Sequence, residues 1–123
     1  MTEIERYLEE GRRYIRAEDV VQASEKLYKA AEEAVKSLSK LYAPDVYNEA
    51  SAKERWTSGL LFKAAGEIAD KLDSGVKHCW DAAWTLHVQG FHEGKLDINY
   101  VAKGVKDIEK LVKLEAEKGR KND

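Results

Sequence analysis

The sequence predicts an all-α protein, an up-and-down bundle of about five helices joined by short loops. Apolar residues recur at helical spacing along almost the whole chain, and no segment alternates apolar and polar residues as a strand would. Pro44 is the only proline among 123 residues, so helix breakers are rare. A chain of this length makes one ordinary domain with a sizeable core, and we therefore expect a single domain over residues 1–123.

The first two helices have clear start signals. Thr2 and Glu5 form a capping box before the first helix. Asp19 is an N-cap for the second, which is expected to run to about Tyr42 because Pro44 cannot continue it. The inward residues selected by helical spacing are Ile4, Leu8, Gly11 and Ile15 in the first helix, and Val20, Leu27, Ala31, Ala34, Leu38 and Leu41 in the second.

Three more helices are predicted after Pro44. Ser51 and Glu54 match a capping box, so the third helix is expected to start there and to end at Gly75. The fourth covers "KHCWDAAWTLHVQGFHE" and ends at Gly94, and Asp97 caps the fifth. The tail from about residue 117 is expected to fray. The inward residues are Trp56, Leu60, Ala64, Ile68 and Leu72 in the third helix, and Val101, Val105, Ile108 and Val112 in the fifth.

Composition restricts the class of protein. The net charge of −2 gives no global basic field that would recruit nucleic acid. Charged residues make up 36% of the chain, which is typical of a thermophile when Gln, Asn, Met and Cys are scarce. Cys79 is the single cysteine, which excludes an internal disulfide and fits a reducing compartment. With an acidic N-terminus and no long apolar run, the sequence predicts a cytoplasmic protein without membrane contact.

The fourth helix concentrates the candidate functional residues. His87 lies near the middle of a broad apolar face, either as a core histidine or as a neutral imidazole in a dry pocket with a lowered pKa. His92 lies near the helix end, where it either interacts with the helix C-terminus or acts as an exposed base. We take both as candidate catalytic residues. The candidate binding residues are Asp81, Trp84, Glu93 and His78.

A metal or cofactor is not expected. The segment "HEGKL" lacks the second histidine of the H-E-x-x-H zinc motif. None of the histidines are four positions apart, the spacing that puts two ligands together on an α-helix. The chain also lacks a glycine-rich phosphate loop.

Two segments together resemble a known family. "VVQASEKLYKAAEEAVKSLSKLYA" resembles the long helix of HEPN domains. "WDAAWTLHVQGFHEGKLD", followed by "DIEKLVKL", is similar to the archaeal PaREP family, whose fold is HEPN-like. The resemblance implies a helical bundle, commonly a dimer, related to the domain that follows nucleotidyltransferase domains. Many HEPN proteins are RNases or toxins paired with a small nucleotidyltransferase.

The catalytic signature that the resemblance implies is altered here. HEPN RNases use an Arg followed a few residues later by a His, whereas His87 stands in the place of the Arg, five positions before His92. Two histidines can serve as an acid and a base. However, residues five apart on a straight α-helix point about 140° apart. The two imidazoles therefore converge only if the helix ends or bends near Gly90, or if His92 meets a second subunit.

The missing arginine favours a non-catalytic HEPN-like module. It would be a homodimer that binds a nucleotide or a partner protein, such as a minimal nucleotidyltransferase. This interpretation predicts that Trp80, Trp84 and His87 are buried and that the module has an apolar dimer face.

The alternative is a metal-independent RNase, toxin-like, that uses His87 and His92. Glu93 or Asp81 would then orient one of the imidazoles. It requires both imidazoles to open on one cleft lined by cationic side chains.

Overall fold

The computed structural model describes residues 1–119, and it confirms the all-α prediction: within these residues the chain forms six α-helices and no strands. None of the helices in this part of the chain is both long and apolar enough to traverse a bilayer. Residues 117–119 belong to a final π-helical turn, and the rest of the tail expected to fray lies outside the described residues. The helices are α1 (Glu3–Arg16), α2 (Val20–Tyr42), α3 (Pro44–Lys53), α4 (Ser58–Lys71), α5 (Gly75–Thr85) and α6 (Ile98–Leu114), with π-helical segments over Leu86–His92 and Glu115–Gly119.

Helix α2 is the central element of the bundle. It packs against α1, α4, α6 and the segment Leu86–His92, which we call the π segment. Its buried face is rich in alanine, which lets the neighbouring helices approach closely. Leu41, expected to face inward, is 42% exposed. At this end of α2 the buried residues are Val46 and Ala50 of α3. The fully buried residues of the α2 seam are Ala23, Leu27, Ala30, Ala31, Ala34, Val35 and Leu38.

Three of the predicted helix starts are confirmed. The side chains of Thr2, Asp19 and Asp97 accept hydrogen bonds from backbone N–H groups of the first turn, at 3.2, 3.0 and 2.7 Å respectively. Gly94 follows the π segment with φ 63°, in the left-handed region that favours glycine. Gly94 and the Asp97 cap mark the C-terminal end of the histidine-rich stretch, whereas Gly75, expected to end the third helix, is the first residue of α5.

The predicted helix start at Ser51 is wrong. Ser51 lies inside α3, and Glu54 is the C-cap of that helix with φ 52°. Pro44 does end α2, but it also occupies the first turn of α3, where its missing N–H would have no partner anyway. The next helix, α4, starts one residue after Thr57, whose side chain accepts a hydrogen bond from the Leu60 N–H at 3.2 Å. The described chain therefore has six helices instead of five.

The π segment departs from α-helical geometry where it meets α2. Gly90 is buried, and a Cβ at this position would lie 2.6 Å from the Cβ of Ser24. The wider turn continues past the segment, since the Glu93 N–H bonds to the Val88 carbonyl at 3.2 Å. Glycine is thus required here because a side chain at this position would collide with Ser24 of α2.

Replacing Gly90 with alanine is expected to destabilise the protein by about 1–3 kcal/mol, since the added methyl group collides with Ser24. Gly104 in α6 is the matched control. A Cβ there would make only an ordinary contact with Leu86 at 3.9 Å, so Gly104→Ala is expected to stabilise the helix by about 0.5–1 kcal/mol. Urea unfolding of the two variants measures both changes. A Gly90→Ala variant as stable as the parent protein would contradict the close approach.

Candidate functional site

The π segment brings His87 and His92 together. Their Nε2 atoms lie 3.2 Å apart, and the two rings meet edge to face with centroids 4.5 Å apart. A π-helix bonds each residue to the fifth one along, so that residues five apart share a face instead of diverging as they do on an α-helix. The departure from α-geometry around Gly90 thus supplies the convergence within a single chain.

His87 is held by aromatic neighbours. Its ring stacks on Tyr28 of α2, with centroids 4.0 Å apart and planes inclined by 20°. The ring of Phe91 is also nearly parallel to it, at 6.2 Å. Burial lowers the pKa of His87, and the neighbouring charge of His92 lowers it further. His87 is therefore a neutral, oriented imidazole near pH 7, whereas His92 is exposed to solvent.

The two tryptophans of α5 differ in burial. Trp80 is 1% exposed and packs with Tyr28 and Phe62 in the core. Trp84 is only half-buried, and so is His87. The expected burial of all three residues is therefore correct for Trp80 alone. The other two lie farther along the chain, where α5 gives way to the π segment, and both line a cleft.

This cleft, which we call the aromatic cleft, has a volume of about 410 Å³. It lies where α2, the start of α4, the end of α5 and the π segment meet. Aromatic walls with a few polar groups are the usual composition of small-molecule sites of this size. The residues that line it are Glu25, Tyr28, Lys29, Glu32, Trp56, Ser58, Leu61, Trp84, His87 and Phe91.

The charged groups of the aromatic cleft favour a weakly negative field. Lys29 forms an ion pair with Glu25 at 3.2 Å. Glu32 interacts with Lys36 at 3.7 Å, and burial nevertheless raises the pKa of Glu32. Burial, together with the charge of Glu32, also raises the pKa of Tyr28, which keeps its hydroxyl protonated. Two carboxylates and one ammonium group line the cleft, so it lacks the cationic wall that the RNase interpretation requires.

The remaining candidate residues lie away from the cleft lining. His78 is exposed and lies 3.4 Å from Asp107 of α6. Asp81 borders a separate cavity of about 480 Å³ between α4 and α5. The carboxylate of Glu93 pairs with Lys95 at 3.5 Å. The structure thus brings Trp84, His87 and His92 together and places the other three candidates elsewhere.

Sequence reasoning missed the contribution of α2 to the site. Glu25, Tyr28, Lys29 and Glu32 follow the i, i+3, i+4, i+7 spacing of one helix face, so the signal was available. The apolar seam of α2 by itself is enough to predict the helix, so this second face does not stand out in the sequence. Trp56 gave no such signal, since its place depends on the connection between α3 and α4, where the predicted helix start was wrong.

Neither a cluster of three or more metal ligands nor a reactive thiol adds to the site within residues 1–119. No three His, Cys, Asp or Glu side chains in this range come together as such a cluster. Cys79 is buried, and burial raises the pKa of its thiol to about 11. Since only the thiolate is a good nucleophile, Cys79 is an unreactive core residue.

Two solved structures resemble the chain closely. A crystal structure of a protein from Sulfolobus solfataricus is 40% identical, with a TM-score of 0.86 over 94% of this chain and 95% of that one. A solution structure determined for the same structural-genomics target is 38% identical, with a TM-score of 0.82 over 99% of this chain and 95% of that one. A comparison with curated proteins finds no significant match.

The family expectation is confirmed independently of these structures. The model of the archaeal PaREP1/PaREP8 family matches residues 1–112, which include the central helix, the aromatic cleft and the histidine pair. A match over this much of the sequence leads to one conclusion: the chain belongs to the archaeal PaREP1/PaREP8 family.

Proposed function

We propose that this chain is a non-catalytic, HEPN-like binding module that takes the base of a nucleotide in its aromatic cleft and works as a homodimer. The observation that carries the proposal is the set of aromatic rings that line one cleft of about 410 Å³ together with His87. These rings are those of Tyr28, Trp56, Trp84 and Phe91.

Stacking supplies the main attraction for a base. Stacking on an aromatic side chain contributes about 1–3 kcal/mol to the binding of a base, and it does so for every kind of base. Glu32 and Ser58 add hydrogen-bonding groups to the cleft wall. A carboxylate accepts bonds from the exocyclic amino group of a base, so these groups suit an amino-bearing purine or pyrimidine.

Charge sets the orientation of the nucleotide. The ammonium of Lys29 is already paired with Glu25, and Glu32 adds a further carboxylate. An inserted phosphate would meet two negative groups and would also lose its hydration. The base and sugar therefore enter the cleft, and any phosphates remain in solvent.

The face of α4 next to the aromatic cleft supports the homodimer. Phe62 is 39% exposed there, and Gly66 and Ala69 line the cavity of about 480 Å³ beside it. Charges of both signs border this cavity, so two copies of the face can pair opposite charges across a twofold axis. A mass of one protomer by sedimentation equilibrium would contradict this part of the proposal. The bordering charges are Lys63, Glu67, Asp70, Lys77 and Asp81.

A minimal nucleotidyltransferase is the other partner that the HEPN resemblance implies. Such an enzyme uses nucleotides as substrates, so a module that binds the base of a nucleotide could hold the same substrate next to the enzyme. The chemistry that would link the two is the shared nucleotide, held here by its base.

The second candidate function, a metal-independent RNase, is favoured by one observation, the 3.2 Å separation of the His87 and His92 Nε2 atoms. An acid and a base must each reach a different atom of the reacting phosphodiester. In this structure the two imidazoles reach each other instead, beside a cleft whose lining has a net negative charge. The binding function therefore agrees better with the geometry.

Adenosine is expected to bind the protein, with Trp56→Ala weakening the affinity by about 5- to 150-fold because one stacking ring is lost. Isothermal titration calorimetry measures this, and ATP is expected to bind no more tightly than adenosine. Tyr100→Ala is the matched control, since Tyr100 is 53% exposed and lies outside the cleft. Absence of adenosine binding to the parent protein, or an equal loss in the control, would sink the proposal.

Purified protein in EDTA is expected to leave single-stranded RNA intact, because Lys29, which supplies the one ammonium group of the cleft lining, is paired with Glu25. Gel electrophoresis of a labelled RNA after incubation measures this. Each of two variants removes one exposed imidazole: His92→Ala removes a member of the pair, and His78→Ala, the control, removes one away from it. Cleavage by the parent protein that disappears in His92→Ala and persists in His78→Ala would establish the RNase function instead.

A further inference from the structure

We propose that His87 and His92 form a two-imidazole site for a divalent transition-metal cation of the Zn²⁺ or Cu²⁺ class. The site lies on the π segment and involves nitrogen atoms that the nucleotide-binding proposal does not use. The two proposals share His87, which also lines the aromatic cleft, but they are tested separately through His92, which does not.

The separation of the two nitrogens fits a shared metal ion. Zn²⁺ binds imidazole at about 2.0–2.1 Å, so two nitrogens on one tetrahedral ion lie about 3.3 Å apart. The Nε2 atoms of His87 and His92 are 3.2 Å apart. Because the His92 side chain is exposed, its ring can turn toward a shared metal ion without disturbing the core. Nearly the same arrangement of the two rings can therefore hold either a hydrogen bond between the Nε2 atoms or a metal ion bound by both of them.

The π-helix explains why α-helical spacing rules miss this site. On an α-helix, a histidine pair chelates a metal when its members are four residues apart. In the π segment the equivalent pair is five residues apart, because each turn holds more residues. The spacing from His87 to His92 matches this wider turn. An absence of i, i+4 pairs therefore does not exclude a metal site in this chain.

The surroundings of His87 favour the binding of a cation. Tyr28 stacks on His87 and fixes the orientation of its ring, which reduces the entropy lost on binding. Glu25 and Glu32 line the cleft that His87 borders and contribute a negative field.

Two protein ligands leave coordination positions open. A structural zinc site has four protein ligands, whereas a site with open positions holds water or another small donor. The proposed site is therefore weaker than a structural one and exchanges its metal with solvent through the exposed His92. Its open positions distinguish it from a buried, permanently loaded centre.

The test is calorimetric titration of untagged, metal-free protein with Zn²⁺, beside Cu²⁺ titration followed by electron paramagnetic resonance. We expect one equivalent of Zn²⁺ to bind, and nitrogen coupling from the imidazoles in the Cu²⁺ spectrum. His92→Ala removes an exposed side chain and is expected to weaken Zn²⁺ binding at least about tenfold, since chelation by a pair is lost. His78→Ala is the matched control, because His78 is also exposed but lies on α5 beside Asp107.

The outcomes separate clearly. Binding lost in His92→Ala and kept in His78→Ala supports the site, and a thermal melting point that Zn²⁺ raises in the parent protein but not in His92→Ala supports it further. Failure of the parent protein to bind Zn²⁺, or an equal loss in both variants, overturns it. Adenosine binding measured on His92→Ala distinguishes this result from a failure of the nucleotide proposal, because His92 does not line the cleft.

Discussion

The close contact between α2 and the π segment is the constraint on which the rest of the site depends. Gly90 lets the backbone of the segment approach Ser24, and His87 stacks on Tyr28 one turn farther along α2. The contact places an imidazole against the wall of the aromatic cleft and leaves His92 beside it in solvent. A straight α-helix at this point would aim the two imidazoles in different directions.

The wide turn has an energetic cost, since π-helices are rare, and they are frequent at functional sites. Burial around the segment offsets that cost. Leu86 at its start is 1% exposed, and the preceding turns of α5 bury Trp80, Cys79 and Ala83. Burying side chains of this size contributes on the order of 1.5–3 kcal/mol for each large one. The buried side chains that precede the π segment thus stabilise its irregular backbone.

The sequence predicts the regular parts of this molecule well, because they follow from local rules. Helix periodicity and the caps at Thr2, Asp19 and Asp97 give the helices, and the family resemblance follows from the histidine-rich stretch. The capping pattern at Ser51 misleads because Pro44 had already started a helix. The π segment cannot be read from periodicity, which presumes an α-helix. It coincides with the tertiary contact of Gly90 with Ser24, two residues far apart in the chain.

Side-chain NMR of the histidines during a pH titration tests the central claim, the coupling of His87 and His92 in the π segment. We expect His87 to titrate below the ordinary histidine pKa of about 6.5, because burial and the charge of His92 both disfavour its protonation. His92→Ala should raise the pKa of His87, whereas His78→Ala should leave it unchanged. A His87 pKa at the ordinary value, or one that His92→Ala does not move, would contradict the account.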